Sequence, residues 1–124
     1  MNLEPGSDNP ARPAPGVRLV ELKKLRKHSA LVLDFQKGDA WFSLLIARGD
    51  GDHVYAYENS CPHARSPLET FDGRVMVQQN RYLICAMHGA SFRMEDGVCA
   101  GGPAQGTALA AIPVAVQDGW VTMR

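Results

Sequence analysis

No stretch of this 124-residue chain approaches the roughly 20 consecutive apolar residues that a membrane-spanning helix needs. Its first sixteen residues, MNLEPGSDNPARPAPG, lack the apolar core of a signal peptide. Both absences point to the cytoplasm and to no membrane partner. Charge of one sign is also missing. Thirteen Lys and Arg balance thirteen Asp and Glu, so the clustered basic excess of a nucleic-acid surface is not there. There are no internal repeats and no sustained 3.6-residue apolar period, which argues against a helical bundle. Cysteine and histidine are scarce, with three Cys and four His.

Four of those seven residues fall in two short motifs, Cys61-Pro-His63 and Cys85-Ala-Met-His88, separated by residues 64–84. Each motif sets one thiolate and one imidazole on one loop. One close Cys-His pair arises readily by chance; two together are far rarer. Two Cys and two His suit a [2Fe–2S] centre in which one iron takes Cys and the other His. The same four residues could bind one tetrahedral Zn²⁺, although zinc fingers usually pair Cys with Cys and His with His. Buried structural cysteines beside incidental histidines are the plainer alternative. A Cys–His hydrolase would need a third member that no residue supplies, and would leave the second pair unexplained.

With Gly89 directly after His88, the two motifs resemble the cluster-binding boxes of Rieske iron–sulfur proteins, of the soluble ferredoxin-like type. Gly101-Gly102-Pro103-Ala104 resembles the proline-containing loop that covers the cluster in that family. The resemblance spans roughly residues 17–123. It implies a [2Fe–2S] cluster with Cys61 and Cys85 on one iron and His63 and His88 on the other. It also implies the Rieske fold: an antiparallel β-sandwich or barrel with a small cluster-binding subdomain of two loops. Neutral imidazoles reduce the negative charge on such a cluster, lifting its potential from about −400 mV into a range of about −150 to +300 mV.

Departures from the family refine the expectation. In the respiratory type each box carries an extra Cys and the two form a disulfide; here Ser66 and Met87 stand at those positions. High-potential members also place a Ser and a Tyr, two and four residues after the second His, as donors to the cluster sulfurs. Ala90 and Phe92 offer no such donor. Ser91 could substitute, but alternation turns it the other way. The expectation is therefore the low end of the Rieske range. The 21 residues between the boxes exceed the usual insert of soluble ferredoxins, with the extra length assigned to Phe71–Asn80 as a longer hairpin.

The pattern outside the boxes agrees with an all-β fold. Residues 1–16 hold four prolines and two glycines and read as a disordered or extended tail, with the domain occupying 17–124. Short apolar segments follow between turn signals: Arg18–Val20, Ala30–Phe35, Trp41–Ala47, His53–Glu58, Arg81–Ile84, Ala90–Arg93, Ala111–Gln117 and Trp120–Met123. Residues 41–58 and 111–123 read as hairpins, and each box follows a strand. The charged segment Glu21–His28 reads as a solvated connection, with an acidic redox partner as the sharper alternative. Cys99 reads as a small buried residue near the covering loop. His28 and His53 read as surface or strand histidines without a ligand-type neighbour.

The resemblance implies a non-enzymatic one-electron carrier, passing electrons from a flavin-dependent reductase to a terminal oxygenase or reductase, with the edges of His63 and His88 as the exit. The length leaves no room for the mononuclear-iron domain of a whole oxygenase. The alternative is a Rieske-type accessory module of a larger reductase, similar to the small subunit of nitrite reductase.

Overall fold

Residues 44–47, Leu-Leu-Ile-Ala, are apolar without a break, and all four are fully buried. A strand alternates its side chains between two faces, so an unbroken apolar run requires both faces to be covered. The computed structural model describes residues 9–62, 66–70, 75–86, 89–102 and 105–124, and in it this run lies in the middle layer of three antiparallel sheets. The middle sheet has the order β2 (Ser29–Lys37), β3 (Ala40–Arg48), β4 (Val54–Glu58). A base sheet has the order β1 (Arg18–Glu21), β10 (Trp120–Met123), β9 (Val114–Gln117). The third sheet runs β5 (Met76–Gln78), β6 (Tyr82–Ile84), β7 (Ser91–Arg93), β8 (Cys99–Gly101). One 3-10 turn, Leu22–Lys24, joins the strands, and there is no α-helix among the described residues.

Two hydrophobic cores flank the middle sheet. Phe42, Leu44, Ile46 and Ala56 face the base, where they meet Leu22, Leu25, Ile112, Val121 and Met123. Leu45, Ala47 and Tyr57 face the other way, toward Leu68, Leu83, Phe92, Met94 and all three cysteines. Full burial of a side chain such as Leu stabilises the fold by ~1.5–3 kcal/mol, so β3 alone ties the layers together strongly.

Turn chemistry fixes the register. Lys37 pairs with Ala40 across Gly38-Asp39, and Gln117 pairs with Trp120 across Asp118-Gly119. Asp118 (φ 52°) and Gly119 (φ 80°) both take the left-handed conformation of a two-residue hairpin loop. The expected 41–58 hairpin is β3 paired with β4. The expected strand at Ala111–Gln117 is shorter, because Ala111 forms only an isolated bridge with Tyr57. β8 was not anticipated. In the long insert, β5 pairs with β6 around Gln79-Asn80, and residues 71–74 lie outside the described residues.

Residues 9–16 lie along the base. Asn9 donates from Nδ2 to the Trp41 carbonyl at 2.8 Å, Ala11 is buried in the base core, and the Gly16 amide donates to the Met123 carbonyl at 2.8 Å. No helix is long and apolar enough to cross a membrane among the described residues.

Candidate metal centre

Cys61 follows β4 and Cys85 follows β6, as the sequence expects of the two boxes. Both are fully buried in the core between the middle and third sheets, and no cysteine of the chain is in a disulfide. The two loops close in the same way. The Cys61 amide donates to the Ser66 carbonyl at 2.8 Å, and the Cys85 amide donates to the Ala90 carbonyl at 2.8 Å. Each closure spans five residues, so Ser66 stands to Cys61 as Ala90 stands to Cys85. Within the second loop the Gly89 amide donates to the Cys85 carbonyl at 2.9 Å, and Gly89 has φ +72°, a conformation that favours glycine. His63, His88 and Met87 lie outside the described residues, as do Pro103 and Ala104 of the covering loop.

A buried asparagine joins the two loops. Asn59 is 5% exposed, and its amide nitrogen donates to Ser43 Oγ (3.0 Å) and Glu69 Oε1 (3.2 Å). Its side-chain oxygen accepts the Leu68 amide at 3.0 Å, while the Leu68 carbonyl accepts the Ala86 amide at 3.1 Å. Ser43 of β3, the first loop and the second loop are thereby connected in series. Asn59 meets its hydrogen-bonding needs inside the protein, as a buried amide must. Only its place two residues before Cys61 hinted at this.

The covering segment backs directly on the second loop. Ser91 pairs with Gly101, and a Cβ on Gly102 (φ +92°) would lie 2.9 Å from Ala90 Cα. Cys99 is buried in the same core and donates from Sγ to the Gly101 carbonyl at 3.3 Å. Among the described residues no three His, Cys, Asp or Glu side chains gather as a metal site. Ala90 and Phe92 are fully buried, and Ser91 lies half-buried on the opposite side of its strand, as alternation required. The site holds one further polar atom: Ser66 Oγ, buried and without a hydrogen-bond partner.

The Rieske [2Fe-2S] domain model matches residues 18–116, from β1 to the penultimate residue of β9. The chain belongs to the Rieske [2Fe-2S] domain family. Membership implies a [2Fe–2S] cluster, and this Rieske domain fits one. Two thiols without solvent contact enter one apolar core on two similarly closed loops, and a buried hydroxyl beside them lacks an acceptor within the protein.

Solved Rieske structures share the fold. The ferredoxin of carbazole 1,9a-dioxygenase from Nocardioides aromaticivorans IC177 is 24% identical, with TM-score 0.68 over 89% of this chain and 97% of that one. The Sphingomonas yanoikuyae B1 ferredoxin is 24% identical, with TM-score 0.65 over 87% and 96%. A chain from the complex of reduced oxygenase and oxidised ferredoxin in carbazole 1,9a-dioxygenase is 22% identical, with TM-score 0.70 over 87% and 100%. No curated protein sequence matches the chain significantly.

Two of the hollows in the described surface lie near the first box and at the far end of the strands. One, of about 390 Å³, lies beside the first box, lined by Glu58, Ser60, Pro62, Ala108 and Ala110. The other, of about 430 Å³, lies at the opposite ends of β4, β6 and β7, where His28, Asp50, Asn80, Arg81 and Glu95 contribute to its wall. His28 does have an acidic neighbour there: its Nε2 is 2.6 Å from Asp50 Oδ1. That hydrogen bond, with the imidazole's charge, holds the Asp50 carboxyl below the usual carboxylate range. In the Glu21–His28 segment, Lys23 and Lys24 pair with Glu21, while Leu22 and Leu25 turn inward.

Proposed function

We propose that the protein is a one-electron carrier and not an enzyme, with Cys61 and Cys85 holding one iron of the cluster and His63 and His88 the other. The observation that carries the reading is the entry of two fully buried thiols into one core on equivalent loops of a Rieske domain. A [2Fe–2S] cluster bound there supplies reversible one-electron chemistry. The chain's own residues set its surroundings. Leu68, Leu83 and Phe92 keep water from the thiol side, and Asn59 holds the two loops in fixed relation. Fixed relation suits electron transfer, since a site that does not rearrange on reduction wastes little energy in reorganisation.

The partners in this reading are a flavin-dependent reductase as donor and a terminal oxygenase or reductase as acceptor, in the cytoplasm. Support for an oxygenase comes from the similar structure seen in a complex of oxygenase and ferredoxin. The fully buried Ala90 and Phe92 supply no side-chain donor, which keeps the potential at the low end of the Rieske range. The alternative is an accessory module of a larger reductase; stable copurification with a large subunit would favour it, and turnover with a separate reductase favours the carrier.

Analysis for iron and sulfide, with an EPR spectrum of the dithionite-reduced protein, tests the assignment. The expected result is two irons and two sulfides per chain and a rhombic Rieske signal, lost in Cys61→Ser and His88→Ala. A colourless, EPR-silent protein containing zinc would overturn it.

A further inference from the structure

Ser66 carries the one buried side-chain N or O atom among the described residues that lacks a hydrogen-bond partner. Buried hydroxyls are almost always bonded, so an orphan points to an acceptor supplied from outside the chain. Its surroundings narrow the choice. The Ser66 carbonyl already accepts the Cys61 amide, the Leu68 carbonyl accepts the Ala86 amide, and the Ala90 carbonyl accepts the Cys85 amide. The core beside the two loops is otherwise made of Leu, Val, Ala, Phe and Met side chains with the thiols and Tyr57, whose hydroxyl is already committed to the Met94 carbonyl. Matching closure of the loops places Ser66 on the first where Ala90 stands on the second. A sulfur of the cluster, electron-rich and more so after reduction, is an acceptor of the kind this hydroxyl lacks.

We propose that the Ser66 hydroxyl donates a hydrogen bond to a sulfur of the cluster and raises its reduction potential. The proposal rests on the cluster assignment above. It gives the domain one side-chain donor, on the first loop, where Ala90 and Phe92 leave the second with none. A donor favours the more negative, reduced state, so its removal lowers the potential.

Redox titration of the full chain, followed by EPR, compares wild type with Ser66→Ala and Ser66→Thr. Ser66→Ala is expected to weaken reduction about tenfold, which is about 59 mV for one electron, with the Rieske signal retained. Ser66→Thr keeps the hydroxyl and is expected to stay within about threefold of wild type. An unchanged potential in a fully loaded Ser66→Ala protein overturns the proposal and leaves the hydroxyl bonded to water. Should Ser66→Ala fail to retain its cluster, Ser66→Thr and Ser66→Val, matched in shape and differing in the hydroxyl, take over the same comparison. If no hydroxyl-free variant holds a cluster, the hydroxyl is structural and the proposal falls. A wild-type chain without the Rieske signal sinks the cluster assignment itself, a different result from a loaded protein whose potential ignores Ser66.

Discussion

The middle sheet presents two faces of different chemistry. Toward the base, β3 and β4 contribute Phe42, Leu44, Ile46 and Ala56, which pack on Leu22, Leu25, Ile112, Val121 and Met123. Toward the third sheet they contribute Leu45, Ala47 and Tyr57, and the partners include three thiols on and beside two loops closed by backbone hydrogen bonds. Strand lengths follow the same division. β2 and β3 pair through nine residues without a break, whereas β5 to β8 are three residues each. Long pairing gives a rigid platform. Short strands release the chain into loops early, so that Cys61 and Cys85 enter the core from turns and not from the ladder.

The sharpest way to break this comparison uses neighbouring residues of one strand. Leu44 and Leu45 are both fully buried, on opposite faces. Leu→Ala at either should cost about 2–5 kcal/mol by urea unfolding, from lost burial and the cavity left behind. Visible circular dichroism of the cluster should separate them: Leu45→Ala alters the spectrum and speeds cluster loss, while Leu44→Ala leaves both unchanged. Equal disturbance from the two would show that the sheet does not insulate one face from the other.

A second pair tests the covering segment. Gly102 and Gly106 both have positive φ, +92° and +87°, but a Cβ meets Ala90 Cα at 2.9 Å in the first and nothing within 4 Å in the second. Gly106→Ala should cost only the left-handed strain of about 1–2 kcal/mol. Gly102→Ala carries that strain and also pushes the covering segment off the second box, so iron content per chain after purification should fall. Full iron content in Gly102→Ala would mean that the segment does not support the box.

The same contrast explains what could be read from the sequence. Segments on the platform were legible, because long, mostly apolar segments meeting at a Gly-Asp turn have few alternatives: Ala30–Phe35 and Trp41–Ala47 sit within β2 and β3. Cys61 and Cys85 were legible through motif chemistry alone. Of the short strands, β6 and β7 were legible as Arg81–Ile84 and Ala90–Arg93, but β8 was not. Cys99-Ala100-Gly101 has neither alternation nor β-branched residues, and it becomes β8 only because β7 lies beside it. Asn59 reads in sequence as an ordinary polar residue at a strand end; its value lies in partners at Ser43, Leu68 and Glu69, which no local pattern reveals. Ser66 stood out only for the disulfide it precludes, since a missing partner is visible only once the neighbours are in place.

Tyr57 gives the smallest and most localised test, because it is a buried polar side chain on the middle sheet's chemical face. Its phenol is buried and donates to the Met94 carbonyl at 2.7 Å, pinning β4 to the residue after β7. Ala56, its neighbour on the base-facing side, has no polar side-chain atom. Burial chiefly, and then the negative charge of Asp96, raise the Tyr57 pKa above its ordinary value of 10.0. The neutral phenol is thus favoured in the folded protein, while the unfolded chain ionises near 10. Its contribution to stability is complete below about pH 10 and declines as pH climbs from there toward the folded-state value. Tyr57→Phe should cost about 1 kcal/mol at pH 8, through the lost hydrogen bond. Between pH 9 and 11 the urea midpoint of the wild type should then fall more steeply than that of Tyr57→Phe, because Tyr55 and Tyr82 are common to both. Parallel curves would show that Tyr57 ionises as freely when folded as when unfolded, and that this face excludes water no better at β4 than an open surface would.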